Sequence, residues 1–179
     1  MDGAHEDQRM TCRATITITG LAVVFVGMTS LIHPVPKLIW NASASVPIGL
    51  YAAKPASVHY VGDLVVVRSP ETLAAFLEAR GYLARDVPLL KHIAALPGQG
   101  VCRTGRTITV DGVTMGHALD HDHLGRILPG GQGCLGLAGD EVFLMNFRPE
   151  NSLNGRYFGP LPVSTIVGHA DPLWTEEGN

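Results

Sequence analysis

Aromatic residues are scarce in this chain, at 6% of 179 residues, while glycine (21) and proline (12) are abundant and apolar residues make up 46%. That balance argues against a helical bundle and for short strands joined by many turns. There is no excess of basic residues: the formal net charge is −3. A broad cationic surface for nucleic acid is therefore excluded, and no nucleic-acid partner is expected. Cysteine is represented only by Cys12, Cys102 and Cys134, so the three cannot all pair within the chain. The length suits one domain, with or without an appendage, and is enough for a real core.

Charge is also missing from one long stretch. Residues 1–13 are polar and end in Arg9 and Arg13, but Ala14 to Ile32 contains no charged residue. At about 1.5 Å rise per residue such a run approaches the roughly 30 Å of a bilayer's hydrocarbon core. Threonines and glycines dilute it, although a threonine hydroxyl can bond back to its own helix. The alternatives are a buried core helix or a cleaved signal peptide. His33-Pro34-Val35-Pro36-Lys37 provides no small-residue cleavage site, which favours a retained anchor over 14–32. Arg9 and Arg13 precede the run and Lys37 alone follows it, placing residues 1–13 in the cytoplasm and 33–179 outside. In a bacterium this is a single-pass inner-membrane protein with a periplasmic domain, and the lipid bilayer is its first partner.

Beyond the run, Ser43-Ala44-Ser45-Val46-Pro47-Ile48-Gly49 reads by itself as an ordinary sharp turn. Gly62-Asp63 is a turn signal, and Leu64-Val65-Val66-Val67 a strand buried on both faces. Ser69-Pro70-Glu71 predicts a helix start, with Ser69 able to cap; Leu73, Phe76, Leu77 and Arg80 continue it and Gly81 ends it, so a helical excursion is expected over 70–81. Leu89 to Leu96 is an apolar strand interrupted by Lys91, whose ammonium must snorkel to water or lose its proton. Thr107–Val110 alternates and then turns at Asp111-Gly112, a hairpin signal. Glu141–Met145 is a further strand, and Asn151 to Pro160 a polar turn.

Two patterns invite a ligand and are set aside. His117, His121 and His123 with Asp120 and Asp122 match no closed zinc spacing, so a solvated loop is expected and no metal. Gly131-Gln132-Gly133-Cys134-Leu135-Gly136 spells a dinucleotide fingerprint, but a strand rather than a helix follows it, and no cofactor is expected. Cys102 and Cys134 both fall in the part placed outside the membrane. An oxidising compartment makes a bridge between them reasonable, two buried thiols being the alternative.

Taken in order, the apolar run, Ser-Ala-Ser-Val-Pro, Gly62-Asp63-Leu64-Val65-Val66-Val67, the lysine strand closing on Leu96-Pro97-Gly98, Gly139-Asp140-Glu141-Val142-Phe143 and Asn151 to Pro160 resemble the type I signal peptidases, membrane-anchored Ser–Lys proteases. Gly49-Leu50-Tyr51 and Gly155-Arg156-Tyr157-Phe158-Gly159-Pro160 are most similar to the TraF-type branch, which matures the pilin of a conjugative mating apparatus. The resemblance, from about Ile32 to Leu173, implies a mainly β, coiled antiparallel domain with a short helical excursion and one N-terminal transmembrane helix. It implies Ser45 as nucleophile and Lys91 as general base, Ser43 with the Ser45 backbone N–H as oxyanion hole, and Ser152 orienting the lysine amine. A free lysine is neutral in roughly one molecule in two thousand at pH 7, so apolar burial of Lys91 among Leu89, Leu90, Ile93 and Leu96 becomes a requirement. The chain departs from the family at Asn154, where an aspartate usually pairs with the arginine, here Arg156; bracing should be weakened but not abolished. The expected substrate is a pilin precursor, trimmed and joined into a ring or simply hydrolysed, with other mating-pair or type IV secretion components as possible partners. A general leader peptidase and a non-catalytic scaffold subunit are the alternative readings.

Overall fold

The structure is a computed structural model that describes residues 3–31, 37–147 and 152–176. The chain divides into two compact units, Met1–Val35 and Pro36–Asn179. The described residues of the first form one helix, α1 (Gly3–Leu31), starting well before the uncharged run. The Thr17 hydroxyl donates to the Arg13 carbonyl at 2.9 Å, the back-bonding expected of a threonine in a helix. Side chains of this helix are described over residues 13–28, and Ile16, Leu21, Phe25 and Val26 among them are exposed. Among the described residues no helix is long and apolar enough to cross a membrane. The helix predicted over 14–32 is therefore present, but it is not reproduced there as a span; Ile32 itself lies outside the described residues.

The second unit is mainly β, and all its strand pairings are antiparallel. A seven-stranded sheet has the order β1 (Leu38–Asn41), β2 (Gly49–Lys54), β11 (Ile166–Thr175), β3 (Leu64–Val67), β4 (Leu89–Ala95), β9 (Glu141–Met145) and β10 (Leu161–Pro162). A four-stranded sheet has the order β7 (Val113–His117), β6 (Thr107–Val110), β5 (Gly100–Thr104) and β8 (Gly133–Gly136). The valine strand lies inside the large sheet, where Val65, Val66 and Val67 are all fully buried. Val65 and Val67 join one core with Leu73, Leu77 and Ile93, while Val66 joins a second with Ile39, Tyr51 and Leu90. Because side chains alternate along a strand, an uninterrupted apolar run is what a strand with a core on each side requires.

Asp111 (φ 48°) and Gly112 (φ 81°) form the two-residue turn of the β6–β7 hairpin, both in the left-handed region that Asp-Gly tolerates. The helical excursion is α2 (Glu71–Ala79), which buries Leu73, Ala74 and Leu77. Its end is as predicted: Gly81 has φ 67°, its N–H donates to the Glu78 carbonyl, and the Tyr82 N–H reaches back to Leu77. Its start is not. Pro70 occupies the cap position without a side-chain bond, and the Ser69 hydroxyl is buried with no partner, so the predicted serine cap does not form.

The stretch resembling a dinucleotide fingerprint runs into β8, which pairs with β5 so that Cys134 faces Cys102. The two sulfurs are bonded at 2.06 Å. The closing turn is partly helical: α3 (Gly155–Phe158) is a single helical turn capped by Asn154, whose side chain accepts from the Arg156 N–H. That replaces the plain turn expected between Asn151 and Pro160; Asn151 lies outside the described residues.

Candidate active site

Ser43 and Ser45 lie in the connection between β1 and β2, whose register closes on the pair Asn41–Gly49. The predicted turn is thus the loop of a β-hairpin, residues 42–48. Val46 is buried beneath it, and the Tyr51 hydroxyl donates to the Pro47 carbonyl at 2.6 Å. The Ser43 and Ser45 hydroxyl oxygens are 2.9 Å apart.

Lys91 stands in the middle of β4, opposite Val65 of β3, and is only 3% exposed. Strand alternation sends its stem to the face shared by Leu89 and Ile93, which belong to one core; Leu90 points to the other face and packs with Val66 and Tyr51. The expected apolar surround is therefore real but does not include Leu90. Nζ donates to the Ser152 hydroxyl oxygen at 3.0 Å, within a buried pair. Burial, and to a lesser degree the nearby Arg156 guanidinium, lowers the Lys91 pKa to about 7. A far larger share of molecules than for a free lysine then carries a neutral amine at neutral pH.

Ser43, Ser45, Lys91 and Ser152 all line one open cleft of about 460 Å³, whose apolar wall includes Leu77, Leu83, Leu89 and Leu128. No hydrogen bond joins Ser45 to Lys91 among the described residues. Ser45 pairs with Ser43, and Lys91 with Ser152.

Asn154 and Arg156 are not among the residues that line this cleft. Asn154 Oδ1 accepts from both the backbone N–H and the Nε of Arg156, at 3.1 and 3.0 Å. Arg156 also donates through Nη1 to the His117 carbonyl at 2.6 Å and through Nη2 to the Asn146 carbonyl at 3.3 Å. The guanidinium thus ties α3 to β7 and to the end of β9. The asparagine does part of the expected bracing, but its Nδ2 is buried with no hydrogen-bond partner. Cys102 and Cys134 lie outside the cleft, on the small sheet.

Two groups of residues were not anticipated from the sequence. Asn41 is buried at the foot of the serine hairpin and bonds to it repeatedly; its place in Trp40-Asn41, just before the serine motif, was the available signal. Asp122 was expected in a solvated loop. Instead its side chain is 5% exposed, accepts from the Tyr82 hydroxyl and from Arg126 Nε, and lines the cleft along with His123. Arg126 lies over the Tyr82 ring at 5.0 Å and donates to the Arg80 carbonyl, so the loop after β7 is clasped to the end of α2. Local sequence carries no sign of that contact, because Tyr82 and Asp122 are far apart in the chain.

Comparison with known proteins follows the same lines. The family model described as signal peptidase, peptidase S26 matches residues 10–174. The conjugal transfer protein TraF of Agrobacterium tumefaciens (strain 15955) is 33% identical over 177 residues, covering 91% of this chain and 96% of the relative. TraF of Agrobacterium fabrum is 32% identical over 177 residues, covering 93% and 98%. A plasmid transfer protein TraF of Escherichia coli is 32% identical over 148 residues, covering 75% and 81%. Among solved structures, a signal peptidase I from Enterococcus faecalis aligns with a TM-score of 0.41 and 18% identity, over 64% of this chain and 98% of the other. With a family model spanning nearly the whole chain and relatives of this identity and coverage, the chain belongs to the signal peptidase family, peptidase S26.

Proposed function

We propose that the chain is a Ser–Lys endopeptidase of a conjugative transfer system that trims a pilin precursor and joins its ends. The observation that carries this reading is a lysine 3% exposed, with its pKa brought down to about 7, lining the same cleft as Ser45. A serine hydroxyl is a poor nucleophile until a neighbouring base removes its proton, and a lysine can do so only when neutral. In the proposed reaction the Ser45 hydroxyl turns from Ser43 toward Lys91, and Oγ attacks the scissile carbonyl as its proton passes to Nζ. The carbonyl oxygen becomes an oxyanion, which the Ser45 N–H and the Ser43 hydroxyl stabilise. Lys91 then protonates the departing amine, the C–N bond breaks, and an ester to Ser45 remains. Water, or the N-terminal amine of the same pilin, attacks that ester as Lys91 takes the attacking group's proton; the ester C–O bond breaks and Lys91 returns the proton to Ser45 Oγ. Attack by water gives a linear product and attack by the amine a ring. Ser152 keeps the lysine amine aimed throughout. The names of the TraF relatives favour conjugation over general secretion.

Location belongs to the same proposal: inner membrane, with residues 33–179 on the periplasmic side. The uncharged run 14–32 and the exposed apolar side chains of α1 support a lipid-facing tether. A second apolar surface adds to this. Trp40 and Trp174 stack at 5.8 Å between ring centroids and are exposed, with Leu38 and Leu173 exposed beside them in sequence. Trp40 adjoins the serine hairpin, so a bilayer on this surface would bring a membrane-held substrate close to Ser45.

The test is coexpression with the pilin precursor of the transfer system, followed by mass spectrometry. A product one water lighter than the trimmed linear pilin indicates ring closure, and the linear mass indicates hydrolysis. Unchanged precursor with the wild type and with Ser45→Ala alike would overturn the peptidase reading in favour of a scaffold.

A further inference from the structure

One side chain to which neither the resemblance nor the comparisons assign a role bonds repeatedly to the hairpin that carries Ser45. Asn41, the last residue of β1, is 9% exposed. Its Oδ1 accepts from the Ser43 N–H at 3.2 Å and from the Ser43 hydroxyl at 2.9 Å. Its Nδ2 lies within hydrogen-bonding distance of three carbonyls, those of Ser43 at 2.7 Å, Val46 at 3.0 Å and Pro47 at 3.1 Å. A single amide thus grips both limbs of the loop, with Ser45 between them.

The contact with the Ser43 hydroxyl matters most. A hydroxyl has one hydrogen, and Asn41 Oδ1 can only accept, so in this contact the Ser43 hydrogen points at Asn41. The Ser43 oxygen then has lone pairs free for the Ser45 hydroxyl, 2.9 Å away. The order in the resting cleft is Ser45 donating to Ser43 and Ser43 donating to Asn41. During attack the first bond must break as the Ser45 proton goes to Lys91. A negatively charged oxyanion is a stronger acceptor than a neutral amide oxygen, so the Ser43 hydrogen gains by turning to it only once charge develops.

We propose that Asn41 is a positioning residue that acts through Ser43: it parks the Ser43 hydroxyl beside Ser45 in the resting cleft and gives it up to the oxyanion in the transition state. This inference rests on the Ser–Lys peptidase reading, and the experiment separates the two.

The experiment uses the full chain in detergent with the purified pilin precursor as substrate. It measures kcat, KM, the pH profile and the melting temperature for wild type, Ser45→Ala, Ser43→Ala, Asn41→Ala, Asn41→Asp and the double variant Asn41→Ala/Ser43→Ala. For Asn41→Ala, kcat per folded molecule should fall about 10²-fold, the scale of losing an oxyanion donor, with KM and the pH midpoint unmoved. The double variant should lose less than the product of the two single losses, since the part of Asn41 that acts on kcat runs through Ser43. Asn41→Asp keeps the acceptor but holds the Ser43 hydrogen through a charge-assisted bond, so its kcat should also fall; this variant serves if Asn41→Ala does not fold. An active wild type with Asn41 variants equally fast per folded molecule overturns the positioning role alone. So does a double variant whose losses simply multiply. A wild type without Ser45-dependent product removes the peptidase reading, and the role of Asn41 with it.

Discussion

Lys91 is where the chemistry of this chain is most sharply conditioned by burial. Its pKa is lowered to about 7, mainly because burial disfavours the charged amine and secondarily because Arg156 repels it. The neutral amine is the competent base, and its fraction grows as pH rises, so activity should climb through pH about 7 and level off on the alkaline side. A pH–rate profile checks this; a midpoint near 10, the range of an exposed lysine, would show that Lys91 is not the base. Asn154 offers a second test at the same scale. Its Nδ2 is buried without a hydrogen-bond partner, while its Oδ1 receives two bonds from Arg156. Asn154→Asp exchanges the unsatisfied donor for a carboxylate and should stabilise the fold by about 1–2 kcal/mol in thermal melts. The new negative charge also offsets the influence of Arg156 on Lys91, so the pH midpoint should move upward. No gain in stability would remove the bracing argument.

The elements nearest the site depend on close backbone approach as well as on hydrogen bonds. Gly49 closes the serine hairpin, and a Cβ there would lie 2.1 Å from the Trp174 carbonyl oxygen of β11. Gly49→Ala must push β11 away from β2, and should cost about 1–3 kcal/mol by thermal unfolding, with loss of activity as the hairpin shifts. A melting temperature equal to wild type would mean that the strand moves freely. The sequence signals for elements were uneven here. Asp111-Gly112 and Gly81 declare their turns because positive φ is a local demand that few residues meet. Ser69 looked like a cap because serine often caps, yet Pro70 takes that position and the hydroxyl goes unsatisfied. The single helical turn at Gly155–Phe158 is too short for any periodicity to announce it.

At the scale of the whole molecule the central proposal is attachment to a bilayer. The chain has two tryptophans, Trp40 and Trp174, and they stack on each other across β2, both exposed. Tryptophan fluorescence, excited where the tyrosines do not absorb, therefore reports on this surface. With the full chain in liposomes, lipids brominated near the headgroup should quench that fluorescence, as expected for aromatic rings at an interface. Quenching absent at every bromine depth would place the surface in water and separate the active site from the membrane.

Much of the fold was written in short-range chemistry: apolar alternation and valine runs for strands, Asp-Gly and Gly for turns, an uncharged run for α1, and a lysine too apolar in its setting to stay an ordinary cation. The serine motif by itself reads as an ordinary turn and Lys91 as a lysine free to snorkel; their pairing was expected only because several short blocks resemble one family in the same order. What the chain could not declare in one dimension was which distant groups meet. Tertiary packing brings Lys91 to Ser152 and both to the cleft that the serine hairpin lines; packing of the loop after β7 on α2 buries Asp122 beside Tyr82; the β1–β2 hairpin sets Asn41 against Ser43. Hydrogen bonds act over about 3 Å, so only the folded chain decides which side chains come near enough to make them.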